Sequence, residues 1–309
     1  MGSAQRHVPI DTGGAVGRYT LGRRLGAGGM GAVYEAATGD GPTVAIKIPY
    51  SETLENPYTK RRFVDEGYAG GIVEHRNLVR IVDHGETAAG VPYLVMERVL
   101  GERLVERVAR EGRLSLRRAA MIVHELLGAI DALHQAGIVH GDVKSDNVLV
   151  DTEGHARLID FGLAHAQLDG PGSEGARRHD LVSGTPEYMA PEVIRGHGST
   201  GASDIYSLGI ILYELLTGVT PFRGGSSSEI VMRHLREAVC APSLRCPDAN
   251  IPPILERIVM RALEKLPMNR YWSAGAFAAA LEVALPSLDD DGGEVTVQGH
   301  RGGRSPART

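Results

Sequence analysis

Eight residues from His140 to Asn147, "HGDVKSDN", set a histidine, two aspartates, a lysine and an asparagine between the apolar flanks "IV" and "VLV". Polar groups beside strand-forming residues are costly unless they find partners. The stretch is therefore a candidate site, against the plainer reading of a polar turn between two short strands. Thirteen residues after Asn147, Asp160 stands in "LIDFG". Upstream, Gly26, Gly28 and Gly31 form GxGxxG in "LGAGGMGAVYEA". That string alone is weak, because dinucleotide folds place it between a strand and a helix. Here "GAVYEA" reads as a second strand, so the glycines turn a hairpin whose N–H groups can lie over phosphates without side-chain obstruction. Sixteen residues after Gly31 comes Lys47 in "VAIKIP", flanked by apolar residues. A buried ammonium needs a counter-charge, and Glu66 in "RRFVDEGYAGG" is the candidate.

These groups need a frame. The chain has 309 residues, 42% of them hydrophobic, enough for a large core and by length alone for about two domains. Residues 18–98 carry short β-like runs, "YTLGRRL", "AVYEA", "TVAIKIP" and "PYLVMERV", between Gly, Pro and Asp turn signals, which predicts a mostly antiparallel sheet. From about residue 115 the period becomes helical. Ser115 can cap a helix in which Ala119, Ile122, Val123, Leu126, Ile130 and Leu133 recur at three- and four-residue steps, with Gly137 ending it. "SDIYSLGIILYELLTG" is apolar on nearly every side, which predicts a buried helix ending at Gly218. The expected fold class is α+β: a small β-rich lobe, 18–98, followed by a larger, mostly α-helical lobe, 99–285. Residues 1–17 and 286–309 read as disordered tails, being rich in Gly and charge and poor in periodic apolar residues.

Bulk properties exclude several functions. With 33 basic and 38 acidic residues the formal net charge is -5, which argues against a nucleic-acid partner. Cys240 and Cys246 stand without CxxC spacing or clustered histidines, so neither a disulfide framework nor a zinc site is expected. There is no apolar run of the ~18 residues that a membrane span requires, and "MGSAQRHVPI" lacks a secretory core. Arg6 stands where a myristoylation motif needs Ser or Thr. A cytoplasmic chain is expected.

Taken together, the glycine hairpin, "VAIK", a downstream helix glutamate, "HGDVKSDN", "DFG" and "APE" resemble the protein kinase family in order and over about 265 residues, most of all the bacterial eukaryotic-like (Hanks-type) serine/threonine kinases. The resemblance implies a two-lobed kinase fold and transfer of the γ-phosphoryl group of ATP to Ser/Thr hydroxyls of protein substrates. It makes Asp142 the base that orients the acceptor hydroxyl, Lys144 a cation beside the transferred group, and Asn147 and Asp160 ligands of Mg²⁺, with Mn²⁺ as a substitute. Lys47 would hold the phosphates and pair with Glu66. Leu25, Val33, Ala45, Met96, Leu149 and Ile159 match positions lining an adenine pocket, and the backbone of Glu97 and Val99 matches the hinge. Phe161 would be a core plug, Thr185 a neighbour of Asp142 and Lys144, Arg270 the partner of Glu192, and Asp204 the buried acid that holds the catalytic-loop backbone. Similar bacterial kinases dimerise through the small lobe, so a homodimer is compatible with the likeness.

Two departures stand out. Gly141 occupies the place where kinases switched by loop phosphorylation carry an arginine, making this a non-RD sequence, and the segment before Thr185 offers only Ser173 and Ser183 as acceptors. Activity independent of loop phosphorylation is the expectation. Gly67, Gly70 and Gly71 should loosen the helix bearing Glu66 by about 1 kcal/mol each relative to Ala. Two other readings compete. A pseudokinase scaffold is suggested by Gly70 and Gly141, but Lys47, Asp142, Asn147 and Asp160 are all retained. A small-molecule phosphotransferase is suggested by "HGD" with Asn147 five residues on, but the full glycine loop and "GTPEYMAPE" speak against it.

Overall fold

A single antiparallel sheet forms the small lobe of the computed structural model, which describes residues 8, 10, 13–39, 41–160, 165–166 and 185–288, the side chains at 58, 62, 65–70 and 165–166 excepted. Its strands are β1 (Ala15–Val16), β2 (Tyr19–Ala27), β3 (Gly31–Ala37), β4 (Val44–Pro49), β5 (Ile81–Glu86) and β6 (Pro92–Glu97), in the order β1-β2-β3-β4-β6-β5. Ile46, Ile48 and Val95 are fully buried on one face. The edge strand β5 alternates half-buried and exposed residues, so its polar "IVDHGE" is amphipathic rather than core. A short helix α1 (Ser51–Glu55) leads to α2 (Pro57–Ile72), with Pro57 at its first position, where the missing N–H is harmless. Helix α2 runs unbroken through Gly67, Gly70 and Gly71.

The large lobe begins at β7 (Gly101–Arg103), followed by α3 (Leu104–Glu111) and α4 (Leu116–Gln135). Ser115 caps α4 by accepting from the Arg118 N–H, and all six periodic apolar residues are buried. After β8 (Ile138–Val139), strands β9 (Val148–Asp151) and β10 (Ala156–Leu158) join β7 in a three-stranded sheet, and β11 (His165–Ala166) pairs with β8. Helices α5 (Pro191–Ile194), α6 (Gly201–Thr217), α7 (Ser227–Arg236), α8 (Pro242–Arg245), α9 (Pro253–Ala262) and α10 (Ala274–Ala284) complete the lobe. Helix α6 is buried almost throughout and ends at Gly218, whose φ of 77° is left-handed and favours glycine. The chain's sole tryptophan, Trp272, lies just before α10 and is 88% exposed.

The α+β, two-lobed expectation holds. Both lobe ends shift. Within the expected N-terminal tail, Ala15–Val16 pairs with β2, Val16 is fully buried, and Val8 packs against the small-lobe core. At the other end Leu288 is buried against the large-lobe core. A two-residue strand and isolated apolar side chains leave no period to read, so composition alone placed both boundaries too far inward.

His234 on α7 is fully buried, with Nδ1 2.9 Å from the Tyr206 hydroxyl and its ring edge-on to Phe222. Burial, aided by the nearby Lys265 ammonium, pushes its pKa down to about 3. An unfolded histidine titrates near ~6.5, so the neutral ring's contribution is complete above that pH and is lost as pH falls toward 3. Urea midpoints followed by far-UV circular dichroism should fall between pH 6.5 and 4 in the native chain, and His234→Gln should flatten that slope.

Candidate active site

Lys47 sits on β4 opposite Val33 of β3 and Leu94 of β6, only 4% exposed. Its Nζ lies 2.6 Å from Asp160 Oδ1 and 5.8 Å from the centre of the Phe63 ring on α2. One ion pair thus joins the small-lobe sheet to the segment after β10. Glu66 stands one turn beyond Phe63, but its side chain lies outside the described residues, and so does the expected Lys47–Glu66 pair. Phe161, Ser173 and Ser183 likewise lie outside them. Asp160 has φ 67°, a left-handed conformation that a non-glycine residue rarely takes. The Ile159 N–H donates to the Asn147 carbonyl at 2.8 Å, which fixes the segment beside the catalytic loop.

The glycine hairpin closes over this pair. Gly28 donates its N–H to the Gly31 carbonyl at 2.9 Å. A Cβ on Gly28 would stand 3.8 Å from Asp160 Oδ2, and one on Gly31 would collide with the Ile48 carbonyl. Gly26 pairs with Val33, whose partner on β4 is Lys47, and Ala45, two residues earlier on β4, pairs with Met96. Leu25 precedes them on β2, and Leu149 on β9 opposes Arg103. The Arg103 guanidinium packs where a Gly26 side chain would be, 2.6 Å from the position of a Cβ. In the connection between lobes, the Glu97 N–H donates to the Arg80 carbonyl and the Glu97 carboxylate accepts from the Arg80 N–H, both at 3.0 Å. Arg98 donates to the Val99 carbonyl at 2.7 Å and reaches Glu35 of β3 at 3.5 Å. Neither Arg98 nor Arg103 announces itself in the sequence, since both are single cations without a spaced motif.

In the loop from 140 to 147 the polar side chains bind one another. Lys144 Nζ is 2.7 Å from Asp142 Oδ2, and Asn147 Nδ2 donates to the Asp142 carbonyl at 2.9 Å and to Oδ2 at 3.1 Å. Burial pushes the Asp142 carboxyl above its ordinary range, and the Lys144 charge and hydrogen bond oppose that rise. His140 is fully buried and desolvation lowers its pKa, so its ring is neutral; Nδ1 accepts from the Asp142 N–H at 3.2 Å.

Asp204 of α6 holds the loop from below. It accepts from the N–H groups of His140 at 3.0 Å and Gly141 at 2.9 Å, and lies 2.8 Å from His134 Nε2. Burial alone would raise its pKa, but the hydrogen bond and charge of His134 and the hydrogen bond from the Gly141 N–H hold it below the ordinary value. Gly141 has φ 76°. Its identity thus has a local cause as well: the turn that presents two successive N–H groups to Asp204 is left-handed, where a Cβ is disfavoured. Glu192 and Arg270 form the expected buried pair, bidentate at 2.7 and 2.8 Å, and Arg270 also donates to the carbonyls of Glu264 and Ala202. Thr185 lines the same cavity as Gly141 and Asp142, together with Tyr188 and Ser207. A second buried group went unread: Glu214, whose Oε2 is 2.5 Å from Ser145 Oγ and 2.8 Å from the Tyr188 hydroxyl.

A sheet lysine paired with an aspartate, beside a loop in which carboxylate, amide and ammonium bind one another, has counterparts among known proteins. The family model "Protein kinase domain" matches residues 19–278, and the chain belongs to that family, in its bacterial Hanks-type branch. Among curated relatives, the chain is 35% identical over 270 residues to the serine/threonine-protein kinase pkn3 of Myxococcus xanthus, covering 86% of this chain and 49% of that protein. It is 37% identical over 270 residues to PknA of Mycobacterium tuberculosis, covering 86% and 61%, and 38% identical over 280 residues to PknH of Mycobacterium bovis, covering 90% and 46%. The chain thus spans roughly half the length of the curated relatives it matches. Among the described residues no helix is long and apolar enough to cross a membrane.

Removing one partner of the Glu192–Arg270 pair leaves a buried charge uncompensated, which costs about 3–5 kcal/mol. Arg270→Met should therefore lower the unfolding free energy by about that amount, read as a shift of the urea midpoint by far-UV circular dichroism.

Proposed function

We propose that this domain transfers the γ-phosphoryl group of ATP to serine and threonine hydroxyls of proteins. The observation that carries the reading is the convergence of Lys47, from the small-lobe sheet, on Asp160, with Asp142, Lys144 and Asn147 bonded to one another nearby. The glycine hairpin offers main-chain N–H groups to the phosphates, and the Lys47 ammonium neutralises them. The base lies among Leu25, Val33, Ala45, Met96 and Leu149, against the backbone of Glu97 and Val99. The acceptor hydroxyl attacks the γ-phosphorus, the bond to the ADP oxygen breaks, and Asp142 takes the hydroxyl proton. Burial suits Asp142 to that task, because a raised pKa makes a carboxylate a better proton acceptor. Lys144 offsets charge spread over the transferred oxygens.

Asp160 and Asn147 supply one carboxylate and one amide oxygen, and among the described residues no cluster of three or more His, Cys, Asp or Glu could cage a metal. Such a sparse set of hard oxygen donors fits Mg²⁺, which keeps waters and shares phosphate oxygens rather than filling a protein cage. When bound, the ion neutralises charge developing on the phosphates; Mn²⁺ has the same ligand preference. The cytoplasm, where ATP and Mg²⁺ are plentiful, is the compartment we propose.

Incubation with labelled ATP, Mg²⁺ and casein should label casein, with at least a thousandfold loss in Asp142→Asn. Equal labelling by the two chains would sink the assignment, and no labelling by either would favour a scaffold.

We further propose that transfer does not depend on phosphorylation of the segment before Thr185. The support is Gly141, which provides no guanidinium to receive a phosphate. The phosphatase-treated chain carrying Ser173→Ala and Ser183→Ala should keep its initial rate within about threefold; a fall of more than tenfold contradicts this.

A further inference from the structure

Helix α6 is buried along most of its length, yet Ser203, Asp204, Ser207 and Glu214 along it are polar. At about 100° per residue, Asp204, Ser207 and Glu214 fall within an arc of about 80°, and Asp204 and Glu214 are about 15 Å apart along the axis. All three bind the two segments that frame the cleft. Asp204 holds the N–H groups of His140 and Gly141, the start of the catalytic loop. Ser207 donates to the Tyr188 carbonyl at 2.9 Å, and Glu214 accepts from the Tyr188 hydroxyl at 2.8 Å, so both ends of Tyr188 are tied to α6. The same Glu214 oxygen accepts from Ser145 at 2.5 Å. Ser145 is fully buried, three residues past Asp142 and two before Asn147.

Two hydroxyls therefore meet on one buried oxygen, one from the catalytic loop and one from the segment that follows Thr185. A buried carboxylate is tolerated only with donors of this kind, and neither hydroxyl can be displaced without leaving that oxygen less satisfied. Since Asn147 holds Asp142 through two hydrogen bonds, a shift at Ser145 is passed to both ends of the loop.

Building on the proposed phosphoryl transfer, we infer that Ser145 is a positioning residue: its bond to Glu214, which also holds Tyr188, ties the alignment of Asp142 to the segment that follows Thr185. Asp204 anchors the loop at its start, and Ser145 anchors it beyond the base. Ser145 touches neither nucleotide nor acceptor; it acts through Glu214 and Asn147.

The test compares native chain, Ser145→Ala, Tyr188→Phe and the double variant, with casein as acceptor and rates scaled to nucleotide-binding sites counted by ADP titration. Ser145→Ala should lower kcat about tenfold while the KM for ATP stays within twofold. The double variant should be no slower than the slower single variant by more than about twofold, because either change alone already breaks the Ser145–Glu214–Tyr188 bridge. If Ser145→Ala does not fold, Ser145→Cys, which keeps the volume with a weak donor, should lower kcat in the same direction. A kcat per binding site within twofold of native, or fully multiplicative losses in the double variant, would overturn the inference and leave the kinase reading standing. A native chain that transfers no label would overturn both.

Discussion

A carboxyl group inside a protein has to be met by hydrogen-bonding partners, and that constraint organises the large lobe. Asp204, Glu214 and Glu192 are all buried, and each draws chain toward itself. Asp204 takes two main-chain N–H groups, Glu214 takes two hydroxyls, and Glu192 takes a guanidinium. None of these acids carries the proposed chemistry. Their effect is to give irregular segments, the 140–147 loop and the stretch around Thr185–Ile194, the rigidity that a helix or strand would otherwise provide.

The small lobe supplies the glycine turn, Lys47 and the apolar residues Leu25, Val33, Ala45 and Met96 of the proposed nucleotide site. Its sheet presents Lys47 from an apolar strand and a glycine turn that comes close to Asp160. The lobes are joined by the Lys47–Asp160 ion pair and the 97–99 connection, by main-chain hydrogen bonds between Asn77, Val79 and Leu158, and by Leu78, which is buried in the large-lobe core. Arg98 stiffens that connection from the side by bridging Val99 to Glu35.

Much of this was legible in the residues. The period of "LRRAAMIVHELLGAIDALHQ", the cap at Ser115 and the glycines 137 and 218 mark helices whose ends the structure reproduces. Asp204 and the Glu192–Arg270 pair were likewise found from motif positions. What escaped was either too short to have a period, as with Ala15–Val16, or depended on tertiary approach. Glu214 and Ser145 are 69 residues apart, and nothing local marks them as partners. A signal existed, though: polar residues at 204, 207 and 214 inside an otherwise apolar helix share one side, and a buried helix does not carry such a stripe without something to bind it. Gly141 was read only for the side chain it lacks, whereas its left-handed backbone supplies a second reason that sequence alone does not display.

The position of Trp272 has an optical consequence. The chain's one indole already lies in water in the folded state, so its emission has little room to move to longer wavelength when the chain opens. Intrinsic fluorescence will look nearly the same for folded and denatured molecules, and the ten tyrosines, several of them enclosed, are the chromophores that would register the transition.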